Sequence, residues 1–217
     1  MEKLENIVIK IQNKEELGKE TIYELISKYT TNEISDDDIL PIVKAIYYSG
    51  LCDKDLYLLT DAMKNSGEIL DLKELGQIVD KHSTGGVSDT TTIIIAPICA
   101  CLDCKMLKLS GRGLAFTGGT CDKLESFIGY KTDLDLKEAI NLTKKNGACL
   151  ITSSKNIAPA DKKMYALRNR TDLVDNIQLI ASSIMSKKLA AGTDIIVPEM
   201  NLGQMVHEVE RVTAGKA

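Results

Sequence analysis

The chain has 217 residues, 27 Lys and Arg against 31 Asp and Glu, and a formal net charge of −4. Its aliphatic content and low Pro and Gly support an ordered core of one or two domains, while the slightly acidic balance gives no general footprint for nucleic acid. An anion bound here must be held by local charge and backbone donors, which suits a small phosphorylated ligand better than DNA. Residues 1–12 mix acids with aliphatics at helical spacing and show neither a basic leader nor a cleavage pattern, and the apolar run at 93–102 is too short to span a membrane. A cytoplasmic protein with no membrane partner is expected.

From Glu2 to about Gly67 the apolar residues recur at three- and four-residue spacing, in Ile22, Leu25, Ile26 and again in Ile39, Ile42, Val43, Ile46. This predicts a small helical module. Thr21 and Ser35 stand where N-caps belong, Asp36 to Asp38 favour the positive end of a helix dipole, and Gly50 and Ser66-Gly67 separate the helices. After Gly67 short apolar strands alternate with glycine-rich turns and helices, the pattern of an α/β layer. Strands are predicted at 78–80, 106–109, 149–152 and 194–197, and helices at 91–102, 136–146, 161–168 and 176–191. The six cysteines, Cys52, Cys99, Cys101, Cys104, Cys121 and Cys149, read as buried, reduced thiols. The Cys-Ala-Cys-Leu-Asp-Cys run lacks the second couple that a zinc framework needs.

Two loops carry chemistry. The first, Lys81-His82-Ser83-Thr84-Gly85-Gly86-Val87-Ser88-Asp89-Thr90-Thr91-Thr92, leaves a strand and enters a helix. Small residues let backbone N–H groups converge on an anion, the helix start adds positive potential, and Lys81 adds a full charge. Phosphate is the natural guest. The loop matches neither the Gly-Lys-Ser/Thr nucleotide loop nor the dinucleotide fingerprint, so neither ATP nor NAD is implied. The second loop runs from Ser110-Gly111-Arg112-Gly113 through Thr117-Gly118-Gly119-Thr120 to Asp122-Lys123-Leu124-Glu125, again between a strand and a helix. Two such loops at the carboxyl ends of neighbouring strands face one crevice, where open α/β sheets bind ligands.

These two runs, Lys-His-Ser-Thr-Gly-Gly-Val and Ser-Gly-Arg-Gly-Leu-x-x-Thr-Gly-Gly-Thr-x-Asp-Lys-Leu-Glu, resemble the phosphate loop and the signature of the thymidine and pyrimidine-nucleoside phosphorylases. The resemblance extends through Ala158-Pro159-Ala160-Asp161-Lys162, Tyr165-Ala166-Leu167-Arg168 and Ser182-Ser183-Ile184-Met185-Ser186-Lys187-Lys188-Leu189-Ala190 to about Val197. It implies a pentosyltransferase of nucleoside salvage that splits thymidine, uridine or deoxyuridine with inorganic phosphate into free base and pentose 1-phosphate. Carried over, it places Lys81, Ser83, Thr92, Ser110 and Thr120 around phosphate, and His82, Arg168, Ser183 and Lys187 against the nucleoside. Cations near the base suit a reaction that builds negative charge on the departing pyrimidine, and His82 is placed to donate a hydrogen bond or proton to it. Independently of the resemblance, Ser183 and Lys187 are four apart and share a helix face. The resemblance also implies a potassium ion near Ser88 and Thr90, no organic cofactor, and a homodimer formed through the N-terminal helices.

The implied fold is α/β, a small helical domain plus a reduced α/β domain of the nucleoside phosphorylase/phosphoribosyltransferase class II type. Residues 1–67 and 160–192 are assigned to the helical domain. Residues 68–159, with the phosphate loops, and 193–217, ending in a divergent tail, are assigned to the α/β domain. The ligand crevice is expected between the two. Three positions depart from the family: Ser88 stands where glycine is common, Ala115-Phe116 replaces Gly-His, and Pro198-Glu199-Met200-Asn201 interrupts the glycine-rich continuation of the last strand. An apolar stripe at Leu202, Met205, Val206, Val209 and Val212 is expected to cover exposed sheet surface or dock on a partner. Two alternatives stand beside the phosphorylase reading. One is a truncated, non-catalytic or split fragment that still binds phosphate or dimerises. The other is a related phosphoribosyltransferase, which takes phosphoribosyl pyrophosphate with magnesium.

Overall fold

The computed structural model describes residues 2–83, 89–111, 119–154 and 156–199. It divides into two compact units, one of residues 1–69 with 155–190 and the other of residues 70–154 with 191–217.

The first unit is helical: α1 (Leu4–Gln12), α2 (Lys19–Thr30), α3 (Asp36–Ser49) and α4 (Asp53–Lys64), then, after the chain returns, α8 (Pro159–Arg170) and α9 (Ile177–Ala190). Ile7, Ile22, Ile26, Ile39, Ile42 and Leu167 meet in one core, as the three- and four-residue spacing requires. Ser35 caps α3: its hydroxyl accepts the Asp38 N–H at 3.1 Å while the Asp38 carboxylate accepts the Ser35 N–H at 3.2 Å. Thr21, by contrast, is not a cap. Helix α2 begins two residues earlier, after Gly18 at φ 83°, and the buried Asp55 of α4 accepts the N–H groups of Leu17 and Gly18. A carboxylate distant in sequence thus fixes the chain just before the helix, which has no side-chain cap of its own.

Helix α8 starts at Pro159, whose missing N–H costs nothing at a first helical position, and Ala158 before it is buried at φ 45°. Gly67 lies against this turn. A Cβ there would meet Asn156 O at 2.1 Å and Pro159 Cδ at 2.4 Å, neither of which can yield. Gly67→Ala should therefore destabilise the helical unit by about 2–3 kcal/mol, read as a lower denaturant midpoint; an unchanged midpoint would show that the turn relaxes freely.

The second unit carries four parallel strands, β1 (Val79–Ser83), β2 (Met106–Ser110), β3 (Ala148–Thr152) and β4 (Ile195–Glu199). Strand β1 pairs with β4 and β2 with β3, and a parallel bridge between Ile78 and Lys105 joins the pairs. Helices α5 (Thr91–Cys101), α6 (Thr120–Glu125) and α7 (Leu136–Asn146) complete it. Leu107, Cys149 and Ile151 pack into one apolar cluster with Ile78 and Ala139, whereas Met106 and Leu150 pack into another with Ala96 and Leu124. Alternate residues of β2 and β3 thus feed two cores, as in a parallel sheet covered on both faces. The α/β fold class holds, and strands β1 and β4 reach three and two residues further than predicted.

Cysteine pairing is absent among the described residues, and so is any cluster of three metal-binding side chains. Cys121 and Cys149 are buried, and burial pushes the Cys149 thiol up to about 11. Cys52 and Cys101, expected to be buried, are exposed. Cys101 lies on the α5 side that also exposes Ile94 and Ile98, so the apolar run at 93–102 is only half covered. No described helix is long and apolar enough to cross a membrane.

Candidate active site

In the α/β unit, the first loop leaves the carboxyl end of β1 and the second that of β2. At this end Lys81 is 3% exposed, its stem packed in the sheet and its ammonium on two carboxylates, Asp89 Oδ1 at 2.5 Å and Glu199. Asp89 collects more donors. Thr92 Oγ1 lies 2.7 Å from Oδ1 and 2.8 Å from Oδ2, its N–H is 3.3 Å from Oδ1, and Thr120 Oγ1 reaches Oδ2 at 3.2 Å. Three of the five residues read from the sequence as phosphate ligands therefore converge on a single pair of anionic oxygens.

Electrostatics explains how that carboxylate survives. Burial by itself would push the Asp89 carboxyl up, but hydrogen bonds from Lys81 and Thr92 and the charges of Lys108 and Lys81 outweigh it and hold the group at about 2. Lys108 was not singled out from the sequence. It is 2% exposed on β2, with Nζ 3.2 Å from Asp80 Oδ1 and 3.9 Å from Asp89 Oδ2, and it also donates to the Lys81 carbonyl. A lysine inside the apolar strand Met-Leu-Lys-Leu-Ser, two residues before Ser110 and so on the same face, was the available signal.

The remaining candidates of this unit are placed by the strands. Ser83 lies two residues beyond Lys81 and shares its face of β1, whereas the strand period turns His82 to the other face. Ser110 ends β2, and its carbonyl accepts the Ser153 N–H at 2.9 Å and the Cys121 thiol at 3.5 Å. Thr90 precedes α5, and its carbonyl accepts the Ile93 N–H at 3.3 Å. Ser88, the Ala115-Phe116 departure and the stripe from Leu202 to Val212 lie outside the described residues.

The nucleoside candidates of the helical unit form a second constellation. Lys187 on α9 donates to Ser183 Oγ at 3.0 Å, one helical turn back, and to Asp161 Oδ2 of α8 at 2.7 Å. Its ammonium is 5.8 Å from the Tyr165 ring centroid, and the Arg168 guanidinium is 5.9 Å from the same ring. Asp161, Tyr165 and Arg168 follow at four- and three-residue steps on one face of α8, a pattern that could have drawn the first two into the site from sequence.

Arg168 and Lys187 are nevertheless in different situations. Arg168 is 1% exposed and gives Nε to Leu173 O at 3.0 Å, Nη1 to Leu179 O at 2.9 Å and Nη2 to Val174 O at 2.8 Å. It fastens the α8–α9 connection, and burial lowers its pKa from the ordinary arginine value. The Lys187 side chain is 38% exposed. Of the two cations, lysine offers its charge outward.

A donor cluster at the carboxyl end of a parallel sheet is accompanied by close likeness to known proteins. The chain is 48% identical over 199 residues to the pyrimidine-nucleoside phosphorylase of Bacillus subtilis (strain 168), covering 91% of this chain and 46% of that protein. Over the same shares it is 46% identical to the pyrimidine-nucleoside phosphorylase of Staphylococcus haemolyticus (strain JCSC1435) and 45% identical to that of Staphylococcus aureus (strain USA300). The chain thus spans about half the length of the curated relatives it matches. Among solved structures, the anthranilate phosphoribosyltransferase (TrpD) from Thermus thermophilus superposes with a TM-score of 0.72 at 18% identity. That match covers 97% of this chain and 63% of the other, and it shows a shared fold. The model of the glycosyl transferase family, a/b domain, matches residues 75–211, which include both glycine loops and all four strands, and the chain belongs to that family.

Proposed function

We propose that the chain carries phosphate- and base-binding machinery for phosphorolysis of pyrimidine nucleosides, releasing the free base and a pentose 1-phosphate in nucleoside salvage. The observation that carries this reading is the gathering of Lys81, Thr92 and Thr120 on one anionic group, with Lys108 beside them. An ammonium and two hydroxyls that already satisfy a carboxylate offer the donors a phosphate oxygen requires. Ser83 and Ser110, at the ends of β1 and β2, extend the same donor set. The likeness to pyrimidine-nucleoside phosphorylases supports a pyrimidine nucleoside as the partner substrate.

Phosphate, oriented by Lys81, Lys108 and the hydroxyls, attacks the anomeric carbon as the bond to the pyrimidine nitrogen breaks. Its oxygen forms the new bond to carbon, and the base leaves with the electron pair. Lys187 and the remaining N–H donors of Arg168 stabilise the negative charge that develops on the base carbonyls, and His82 supplies a hydrogen bond or proton to the leaving base. Ser183 holds Lys187 in place and offers its hydroxyl to the base. Potassium is assigned to Thr90 together with Ser88, and no step runs through it. The reading includes a cytoplasmic location and a homodimer through the N-terminal helices.

The test is release of uracil or thymine from uridine, deoxyuridine and thymidine, followed by absorbance with and without inorganic phosphate. Release that requires phosphate is expected. No response to phosphate, with free base instead consumed together with phosphoribosyl pyrophosphate and magnesium, would overturn the assignment.

A further inference from the structure

The charge balance of the Lys81 cluster points beyond this reading, on which the present inference rests. Among the described residues two ammonium groups, Lys81 and Lys108, face three carboxylates, Asp80, Asp89 and Glu199. A phosphate carrying one to two negative charges meets a Lys81 ammonium already in contact with Asp89 and Glu199, so its binding there requires that a carboxylate withdraw.

The three carboxylates are not equally free to do so. Asp80 is buried, accepts the Lys81 N–H at 2.7 Å and pairs with Lys108. Asp89 is tied by the Thr92 and Thr120 hydroxyls and the Thr92 N–H at the start of α5. Glu199 is the last residue of β4, in register with Ser83, and its side chain is 24% exposed. Besides Lys81 it accepts from the Thr91 hydroxyl, 2.8 Å from each of its oxygens. The β1–β4 pairing thus sets a partly exposed carboxylate on a long side chain beside the first loop, on the cation that phosphate needs.

We propose that Glu199 sets phosphate affinity by competing with phosphate for Lys81, and that the Thr91 hydroxyl holds it in the competing position. Phosphate binding then trades the Lys81–Glu199 contact for a Lys81–phosphate contact. A carboxylate that only positioned Lys81 would act in the opposite sense, because removing it would loosen the lysine and weaken the anion.

The experiment is calorimetric titration of the full chain with inorganic phosphate for the parent, Glu199→Gln and Thr91→Val. Glu199→Gln should bind phosphate roughly three- to tenfold more tightly, and Thr91→Val should shift affinity in the same direction by a smaller factor. Thr91→Val keeps the Glu199 charge, so it decides the matter should the glutamine variant fail to fold. Unchanged or weaker affinity in either folded variant, with phosphate bound by the parent, overturns the competition and leaves Lys81 as a phosphate ligand. Failure of the parent and both variants to bind phosphate overturns the phosphate assignment and this proposal together.

Discussion

Lys81→Ala is expected to lower phosphate affinity by roughly two to three orders of magnitude while changing nucleoside affinity little. The size follows from what the substitution leaves behind. Lys81 is one of two described cations on the cluster, and without it the incoming anion meets Asp89 and Glu199 stripped of their shared ammonium, with Lys108 3.9 Å from Asp89. The same loss should destabilise the α/β unit by about 3 kcal/mol, because a half-buried carboxylate gives up its nearest counter-charge. Lys81→Met, which keeps the aliphatic stem, separates the packing part of that loss from the charge. The pH dependence has a definite sign. Asp89 titrates at about 2 in the fold, below its ordinary 3.8, so its contribution is present above about pH 4 and disappears as pH falls towards 2. The stability gap between parent and Lys81→Ala should therefore be widest near neutrality and shrink through that window. Equal phosphate affinity in parent and variant would remove Lys81 from the site, and a gap independent of pH would remove Asp89 as its partner.

What the sequence made legible here was local. Loop positions follow from glycine and hydroxyl clusters between periodic segments, and Lys81 could be assigned because it sits in such a loop, whereas Thr92 and Thr120 are carried over from the family that the two loops resemble. Glu199 could not, since nothing near it in the chain suggests a role; only the register that sets it beside Ser83 brings its carboxylate to Lys81. Thr21 fails as a cap for a related reason: Asp55 of another helix accepts the Leu17 and Gly18 N–H groups and fixes the chain there, and α2 starts at Lys19. Lys108 lay between the two. Its place in an apolar strand was visible, but a buried lysine is recognisable as a site member only when the carboxylates that neutralise it are known. Long-range pairings, unlike caps and turns, leave no mark in a short window of residues.

The second large effect is expected at Arg168, where structure and chemistry can be separated. Arg168→Ala should destabilise the helical unit by about 3–5 kcal/mol, since it takes one donor from each of the Leu173, Val174 and Leu179 carbonyls and opens a cavity the size of a guanidinium. Lys187→Ala should cost less, about 1 kcal/mol, because its ammonium is more than one-third exposed and solvent compensates much of the pair with Asp161. Turnover orders the two differently from stability. If the outward charge acts on the base, Lys187→Ala should lose roughly two orders of magnitude in kcat with a small change in nucleoside KM, as for a group that acts mainly on the transition state. Arg168→Lys retains the charge but cannot bridge three carbonyls. It should therefore recover little of the lost stability, and any turnover it keeps above that of Arg168→Ala measures the charge alone. Denaturant midpoints for all three variants, set beside kcat in a parent with measurable phosphorolysis, make the comparison. Native-like stability of Arg168→Ala would show that the α8–α9 connection does not depend on its guanidinium, and full kcat in Lys187→Ala would take the lysine out of the reaction.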